Sequence, residues 1–550
     1  MSGHSRRSFV RDVALVGGAA AVLPAVAAIP AAADQTDTPA TTTDVTPASA
    51  TTAEPVVAIG PADRRYPDVT WGSNRRWVGT PDTVQLVSTA DQVLAAVQQA
   101  VNSGKGFAVR SGGHCYEDFV TNNGVRTVID LGGLNSVGYD ATRRVFWVEP
   151  GARLGEVYKK LYRQWGVTLP GGSCPTVGVG GHVAGGGYGP LSRKHGLIVD
   201  HLWGVEVVVV DAYGRASKVV ATREANDPNR SLWWAHTGGG GGSFGVVTRY
   251  LFRSPDATGT NPADQLPKPP SEVLIANVTW NWADLNETSF SRILRNFGQW
   301  YEANSAPDSP YATLFSQLKP QHISAGSFSM TTQIDASVPN ADALLDAYLA
   351  AVNAGTGVNY QVTDRRKISW LHAVTQWPGF TGTDTSTRFK AKSAYMRRGF
   401  TDANLHAFWT NMTRSDYSGP ASLVMITAFG GKINTVGTSD TATAQRDSIL
   451  KLHYVSFWTD AAEDDAHVGW VRSLYQDVYA ASGGVPASNA DTDGCFINYA
   501  DADLVDPRYN ASGIPWSELY FKGNYRQLQS VKAQWDPKNL FSHSLSIKAV

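Results

Sequence analysis

The chain has 550 residues, 42% hydrophobic and 17% charged, enough for roughly two or three packed units, each with its own core. A formal net charge of -1 gives no polyanion-binding surface, so nucleic acid is not an expected partner. Three cysteines, Cys115, Cys174 and Cys495, are too few and too odd a set for a disulfide scaffold and leave thiols available for other chemistry.

The N-terminus reads as an address. Ser5-Arg6-Arg7-Ser8-Phe9-Val10-Arg11 is a twin-arginine pattern, followed by a short, weakly apolar segment from Val13 to Ile29 and a small-residue cleavage site at Ala31-Ala32-Ala33. Residues 1–33 are expected to be a cleaved signal for secretion of an already folded protein, with no stable membrane association. Residues 34–64, rich in Thr, Ala and Pro, bury too little to offset their ordering entropy and are expected to form a flexible tail.

Folded sequence is expected from Arg65. Val84-Gln85-Leu86-Val87 reads as a strand, Ser88 to Asp91 as capping residues for a helix through Gln92 to Val97, and Gly106 to Arg110 as a strand running into the turn Ser111-Gly112-Gly113-His114. Strands are expected at Thr127 to Leu131, Val145 to Val148 and Val205 to Asp211, the last followed by a turn at Ala212-Tyr213-Gly214. Two glycine-rich stretches stand out: Gly171 to Gly189, which contains Cys174 and His182, and Gly238 to Gly245, just before Val247. Glycine at this density is a poor helix former and implies backbone pressed against something bulky, planar or anionic. A first domain is expected over 65–253. Residues 254–272, rich in Pro, Asp and Thr, read as a linker into a second, aromatic-rich α+β unit ending at 494, with a helix at Ala341 to Ala354 and a strand at Leu423 to Phe429.

Glycine loops near strands point to a nucleotide cofactor, because backbone NH groups can cradle a pyrophosphate. The Rossmann pattern fits badly, since neither glycine cluster sits between a strand and an obvious helix with an acidic residue about 20 positions on. A metal site from His114, Cys115, Cys174 and His182 matches no common zinc spacing. The 17 Trp, 21 Tyr and 19 Phe could stack on sugars but are also ordinary core material, so a non-catalytic carbohydrate-binding protein stays open on composition.

Arg110-Ser111-Gly112-Gly113-His114, Cys174-Pro175-Thr176-Val177-Gly178-Val179-Gly180-Gly181-His182, Asn498-Tyr499-Ala500-Asp501 and Tyr520-Phe521-Lys522-Gly523-Asn524 together resemble the berberine bridge enzyme group of FAD-linked oxidases. Within it the chain is most similar to bacterial oxidases of sugar hydroxyls, and the likeness runs from Arg65 to Ile547. The resemblance implies an α+β fold, with a two-part FAD-binding domain of the vanillyl-alcohol oxidase type, a second α+β substrate domain, and a segment 495–550 that completes the flavin site.

It implies FAD bound covalently through His114 and Cys174, with Arg110, Ser111, Gly112 and Gly113 at the pyrophosphate and His182 near the flavin. Val177, Gly180, Gly181, Val247 and Asn524 join them as cofactor-binding residues. Val177 falls where similar enzymes gate dioxygen. Cys115 is read as structural, pointing away from His114. Tyr499 takes the place of the base that removes the hydroxyl proton, although a free tyrosine, pKa about 10, needs a cation or hydrogen bonds to serve. Tyr395 is a candidate substrate contact. A second helper is expected on the strand before Gly430-Gly431, where the chain offers only Met425, Thr427 and Phe429; Thr427 can donate a hydrogen bond but is no base. The implied reaction is oxidation of a sugar or other secondary alcohol, in a glycoside or oligosaccharide, to a carbonyl, with dioxygen reduced to hydrogen peroxide. Its rival is an oxidative cyclase or a dehydrogenase using another acceptor.

Overall fold

A computed structural model describes residues 55–377, 379 and 387–550. The expected signal peptide and most of the expected tail fall on residues 1–54, outside the described residues.

Three sheets organise the chain. The first contains β1 (Val57–Ile59), β2 (Thr83–Leu86), β3 (Phe107–Arg110) and β4 (Thr127–Asp130) in the order β1-β2-β4-β3. Strand β4 pairs in parallel with both β2 and β3. The helix Ala90–Ser103 connects β2 to β3, with Thr89 accepting from the Gln92 amide at its start and Gly104 left-handed at its end. Ordered structure begins earlier than the expected boundary at 65. The apolar run Val56 to Ile59 lets β1 add antiparallel to β2, and Ile59 is buried. The tail read over 34–64 is therefore too long at its C-terminal end.

The second sheet is antiparallel: β5 (Val137–Asp140), β6 (Val145–Val148), β7 (Leu202–Val210), β8 (Ala216–Thr222) and β9 (Val246–Phe252) in the order β5-β6-β9-β7-β8. Between β9 and the next strand, the expected linker lies packed on the body. Leu266 is buried, and the Gln265 amide donates to the carbonyls of Thr258, Gly259 and Asn261.

The third sheet has seven strands, β10 (Glu272–Asn281), β11 (Phe315–Lys319), β12 (Ser327–Asp335), β13 (Gln361–Ser369), β14 (Arg388–Met396), β15 (Ser422–Ala428) and β16 (Leu450–Trp458). Their order is β13-β10-β12-β11-β15-β16-β14, antiparallel throughout. Side chains alternate between the faces of a strand, and this period selects Phe315 and Gln317 on β11, Met425 and Thr427 on β15, and Lys451 and His453 on β16 to line one cavity. The helix Asp464–Val478 packs on β14 and β16, where Tyr475 donates to the Ser393 carbonyl.

One large core joins buried residues of the second and third sheets, from Phe146 to Ile547. The architecture is the expected α+β fold of the vanillyl-alcohol oxidase type. Among the described residues no helix is long and apolar enough to cross a membrane.

Candidate functional site

A cavity of about 500 Å³ is lined by the first glycine turn, both glycine-rich stretches, one face of the seven-stranded sheet and the segment Phe496 to Ala500. Of the residues singled out in the sequence, Arg110, Ser111, Gly112, Gly113, His114, Cys174, Val177, Gly180, Gly181, His182, Val247 and Tyr499 line it.

The glycine turn follows directly from β3. Arg110 stands opposite Asp130 in register, and its Nε donates to Asp130 Oδ2 at 2.8 Å, so its guanidinium anchors the strand end. Ser111 donates to the Pro150 carbonyl at 2.6 Å. At Gly112 any side chain is barred, because a Cβ would lie 2.3 Å from the Gly178 nitrogen; the two glycine loops meet there backbone to backbone. A Cβ at Gly181, in contrast, would meet nothing within 4 Å, since that residue faces open space.

The stretch after Gly178 corrects the expectation of a non-helical segment. Val179–Ala184 is a short helix with Gly178 at its N-cap. Packing overrides propensity: Val179 and Val183 are fully buried, and Gly180 fits against Ser111 and Pro150.

His114 and Cys174, 60 positions apart, converge on one hydroxyl. Thr176 Oγ1 lies 3.1 Å from His114 Nε2 and 3.4 Å from Cys174 Sγ. Burial first, and Arg153 second, hold His114 down to about 4, so its imidazole is neutral near pH 7 with a lone pair to share. The sequence alone assigns Thr176 no role; its position between the two side chains gives it one. Cys115 separates the main cavity from a small one of about 30 Å³, and burial pushes its thiol up to about 12. It is poorly suited to act as a thiolate. None of the three cysteines forms a disulfide.

His182 accepts from the Gly172 amide at Nε2, 3.0 Å, which places the proton of the neutral ring on Nδ1. Burial, and secondarily Lys451, holds it down to about 4. Its carbonyl accepts from the Asn498 side chain at 2.9 Å, tying the glycine helix to the segment that carries Tyr499.

Tyr499 is boxed by rings. It stacks on His453 with centroids 4.1 Å apart and on Tyr116 at 5.3 Å and 11°, while Phe496 meets it edge-on at 5.1 Å. Lys451 Nζ lies 4.1 Å from the centroid of Tyr499, 4.3 Å from that of Phe496 and 4.6 Å from that of Tyr188. This lysine is the cation the sequence left unnamed. Its signal was visible in Leu450-Lys451-Leu452-His453-Tyr454, where polar residues two apart interrupt an apolar strand and must face a polar space.

Burial lowers Lys451 well below the usual lysine value and raises Tyr499, driving both toward neutral forms. Moving the phenol proton to the amine makes an ion pair whose attraction opposes that burial penalty. The two groups together therefore hold one transferable proton.

Two expected site residues stand elsewhere. Tyr395 is 1% exposed and does not line the cavity; Phe496 and Phe429 pack edge-on against its ring, and Phe496 covers it. Asn524 is also outside, its amide donating to the carbonyls of Thr438 and Thr441 at 2.7 and 3.2 Å, so it pins a loop. Of the three helper positions, Met425 and Thr427 line the cavity and Phe429 is buried behind it.

The residues fit a flavin dinucleotide. The open side of Gly181, where a Cβ would meet nothing within 4 Å, leaves room for a large group, and orphaned polar atoms on the wall, Gln317 Oε1 and both ring nitrogens of His453, have no partner among the described residues. Among the described residues no three His, Cys, Asp or Glu side chains gather to hold a metal ion.

Comparison with known proteins places this geometry. A model described as FAD binding domain matches residues 81–217, and one described as berberine and berberine like matches 495–548. Aclacinomycin-N/aclacinomycin-A oxidase of Streptomyces galilaeus is 50% identical over 550 residues, covering 100% of this chain and 99% of that one. Hexose oxidase of Chondrus crispus is 32% identical over 524 residues, 88% of this chain and 93% of its own. The crystal structure of a glycopeptide hexose oxidase complexed with teicoplanin superposes with a TM-score of 0.86 at 48% identity, over 90% of this chain and 99% of that one.

Proposed function

This chain belongs to the berberine bridge enzyme-like family of FAD-linked oxidases, and on that premise we propose that it oxidises a hydroxyl of a sugar or glycoside to a carbonyl, with FAD held by His114 and Cys174 and Tyr499 as the proton acceptor. The observation that carries this reading is the convergence of His114, Cys174 and the Tyr499–Lys451 pair on one cavity.

Residues 110–113 and 240–245 offer backbone to the dinucleotide, and His114 and Cys174, joined through Thr176, offer the two nucleophilic atoms for tethers. Bound FAD supplies hydride acceptance and delivers the electrons to dioxygen. Tyr499 takes the hydroxyl proton, Lys451 compensates the phenolate charge, and the stacked rings of Tyr116 and His453 fix its plane. Val177, a small apolar residue on the wall, takes the place at which similar enzymes gate dioxygen. Two tethers free the cavity from having to enclose its cofactor, which suits bulky glycosides and suits a protein exported already folded by the twin-arginine route.

The test is to mix the purified protein anaerobically with a panel of oligosaccharides and glycosylated natural products and then admit air. A yellow protein bleached by an alcohol, with peroxide formed on re-oxidation, is expected. A colourless preparation defeats the flavin reading and favours carbohydrate binding; bleaching without peroxide in air defeats the oxidase reading and favours a dehydrogenase.

A further inference from the structure

Behind the wall that carries Tyr499 lies a set of six charged side chains, five of them buried and the sixth, Arg472, partly exposed. Lys390 and Lys392 stand two residues apart on β14, so they project to the same face, and both are at most 3% exposed. Lys390 Nζ lies 3.0 Å from Glu117 Oε1, 2.7 Å from Asp501 Oδ1 and 3.3 Å from Asp503 Oδ2. Lys392 Nζ lies 2.6 Å from Asp501 Oδ2 and 2.9 Å from Asp503 Oδ2. Arg472 closes the set, donating from two nitrogens to the two oxygens of Asp503 at 2.9 and 2.7 Å. Lys390, Lys392 and Arg472 balance Glu117, Asp501 and Asp503, which keeps burial of the two lysines and three carboxylates tolerable.

The set joins two functional loops. Glu117 follows His114 by three residues, and Asp501 follows Tyr499 by two. Glu117 Oε1 also accepts from the Ala502 amide at 3.2 Å, so this one carboxylate reaches the far loop directly and through Lys390. Between the same loops Tyr116 stacks on Tyr499.

Stability gives a weak reason to keep these charges. Apolar residues of similar volume often serve as well or better, whereas a charged set accepts only one arrangement of its partners. We propose that Glu117, Lys390, Lys392, Asp501 and Asp503 form a brace of positioning residues that fixes the loop carrying His114 against the loop carrying Tyr499, keeping the tethered end of the site and its proton acceptor at one separation. The inference rests on Tyr499 being the proton acceptor.

The test uses the flavin-loaded full protein and the variants Glu117→Gln, Asp503→Asn and their double. Three quantities are read: attached flavin per chain after denaturation, the rate of flavin bleaching by saturating alcohol without air, and the pH profile of that rate. Each single variant is expected to keep its flavin, to bleach on the order of 10- to 100-fold more slowly, as a misplaced reacting group does, and to show a displaced acid limb. The double variant is expected to lose no more than the worse single, because both act through Lys390. Wild-type rates and pH profiles in the singles, even with a lowered Tm, overturn the brace, as do losses that multiply in the double. Should Asp503→Asn fail to fold, Lys392→Gln replaces it in the same cycle. A wild type that no alcohol bleaches removes the underlying reading instead, so the two failures are distinguishable.

Discussion

Tyr499→Phe is expected to lower the rate of alcohol oxidation by on the order of 10²- to 10⁴-fold, the usual contribution of a positioned general base, with attached flavin unchanged. The change removes one oxygen and keeps the ring, so the stacks on His453 and Tyr116 and the edge contact from Phe496 persist. Loss of the hydroxyl thus separates proton transfer from packing. The measurement is the anaerobic bleaching rate at saturating substrate, beside the flavin absorbance of the denatured protein. A variant that bleaches at the wild-type rate assigns the proton to another group, and the cavity offers His453, whose ring nitrogens have no partner among the described residues, and Thr427, which is no base.

Lys451→Met is expected to move the acid limb of kcat/KM upward by about one pH unit or more. The sign follows from the proton count. The enzyme is inactive when phenol and ammonium are both protonated and becomes active on losing one proton, so the rate rises with pH. Burial already raises Tyr499. Without the ammonium 4.1 Å from its ring centroid, the phenolate forms only at still higher pH. At a few ångströms an ammonium attracts a phenolate by more than the roughly 1.4 kcal/mol that corresponds to one pKa unit. On the rising part of the profile the rate falls about tenfold for each unit of displacement and is recovered by raising the pH. An unmoved limb would show that Lys451 does not set the proton affinity of Tyr499.

Local pattern made the first domain readable. Alternation and capping residues placed β2, β3, β4 and β6 and the helix after Thr89, because short-range sterics and hydrogen bonds decide those elements. The helix Ala341–Asn353 and strand Ser422–Ala428 were equally local. Long-range packing decided the rest. The helix Val179–Ala184 defies its glycine content, since its neighbours at positions 111, 150 and 498 come from distant parts of the chain. Tyr395 and Asn524 carry side chains suited to a site; Tyr395 shares a face of β14 with the cavity-lining Phe389, but Phe496, from a distant segment, covers its ring, and the carbonyls that surround residue 524 are set by loop placement. Lys451 and Thr176 were missed for the complementary reason. Each acts through a partner far away in sequence, and the partner is what gives it a role.

The proposed double tether of FAD to this chain, through His114 and Cys174, is probed most directly by the intact mass of the acid-denatured protein. Wild type is expected to carry the mass of one FAD and keep its yellow colour through precipitation, His114→Ala and Cys174→Ala each to retain a flavin through the remaining bond, and the double variant to retain none. A wild-type chain that precipitates colourless at its polypeptide mass, or a double variant that still carries flavin, would contradict it.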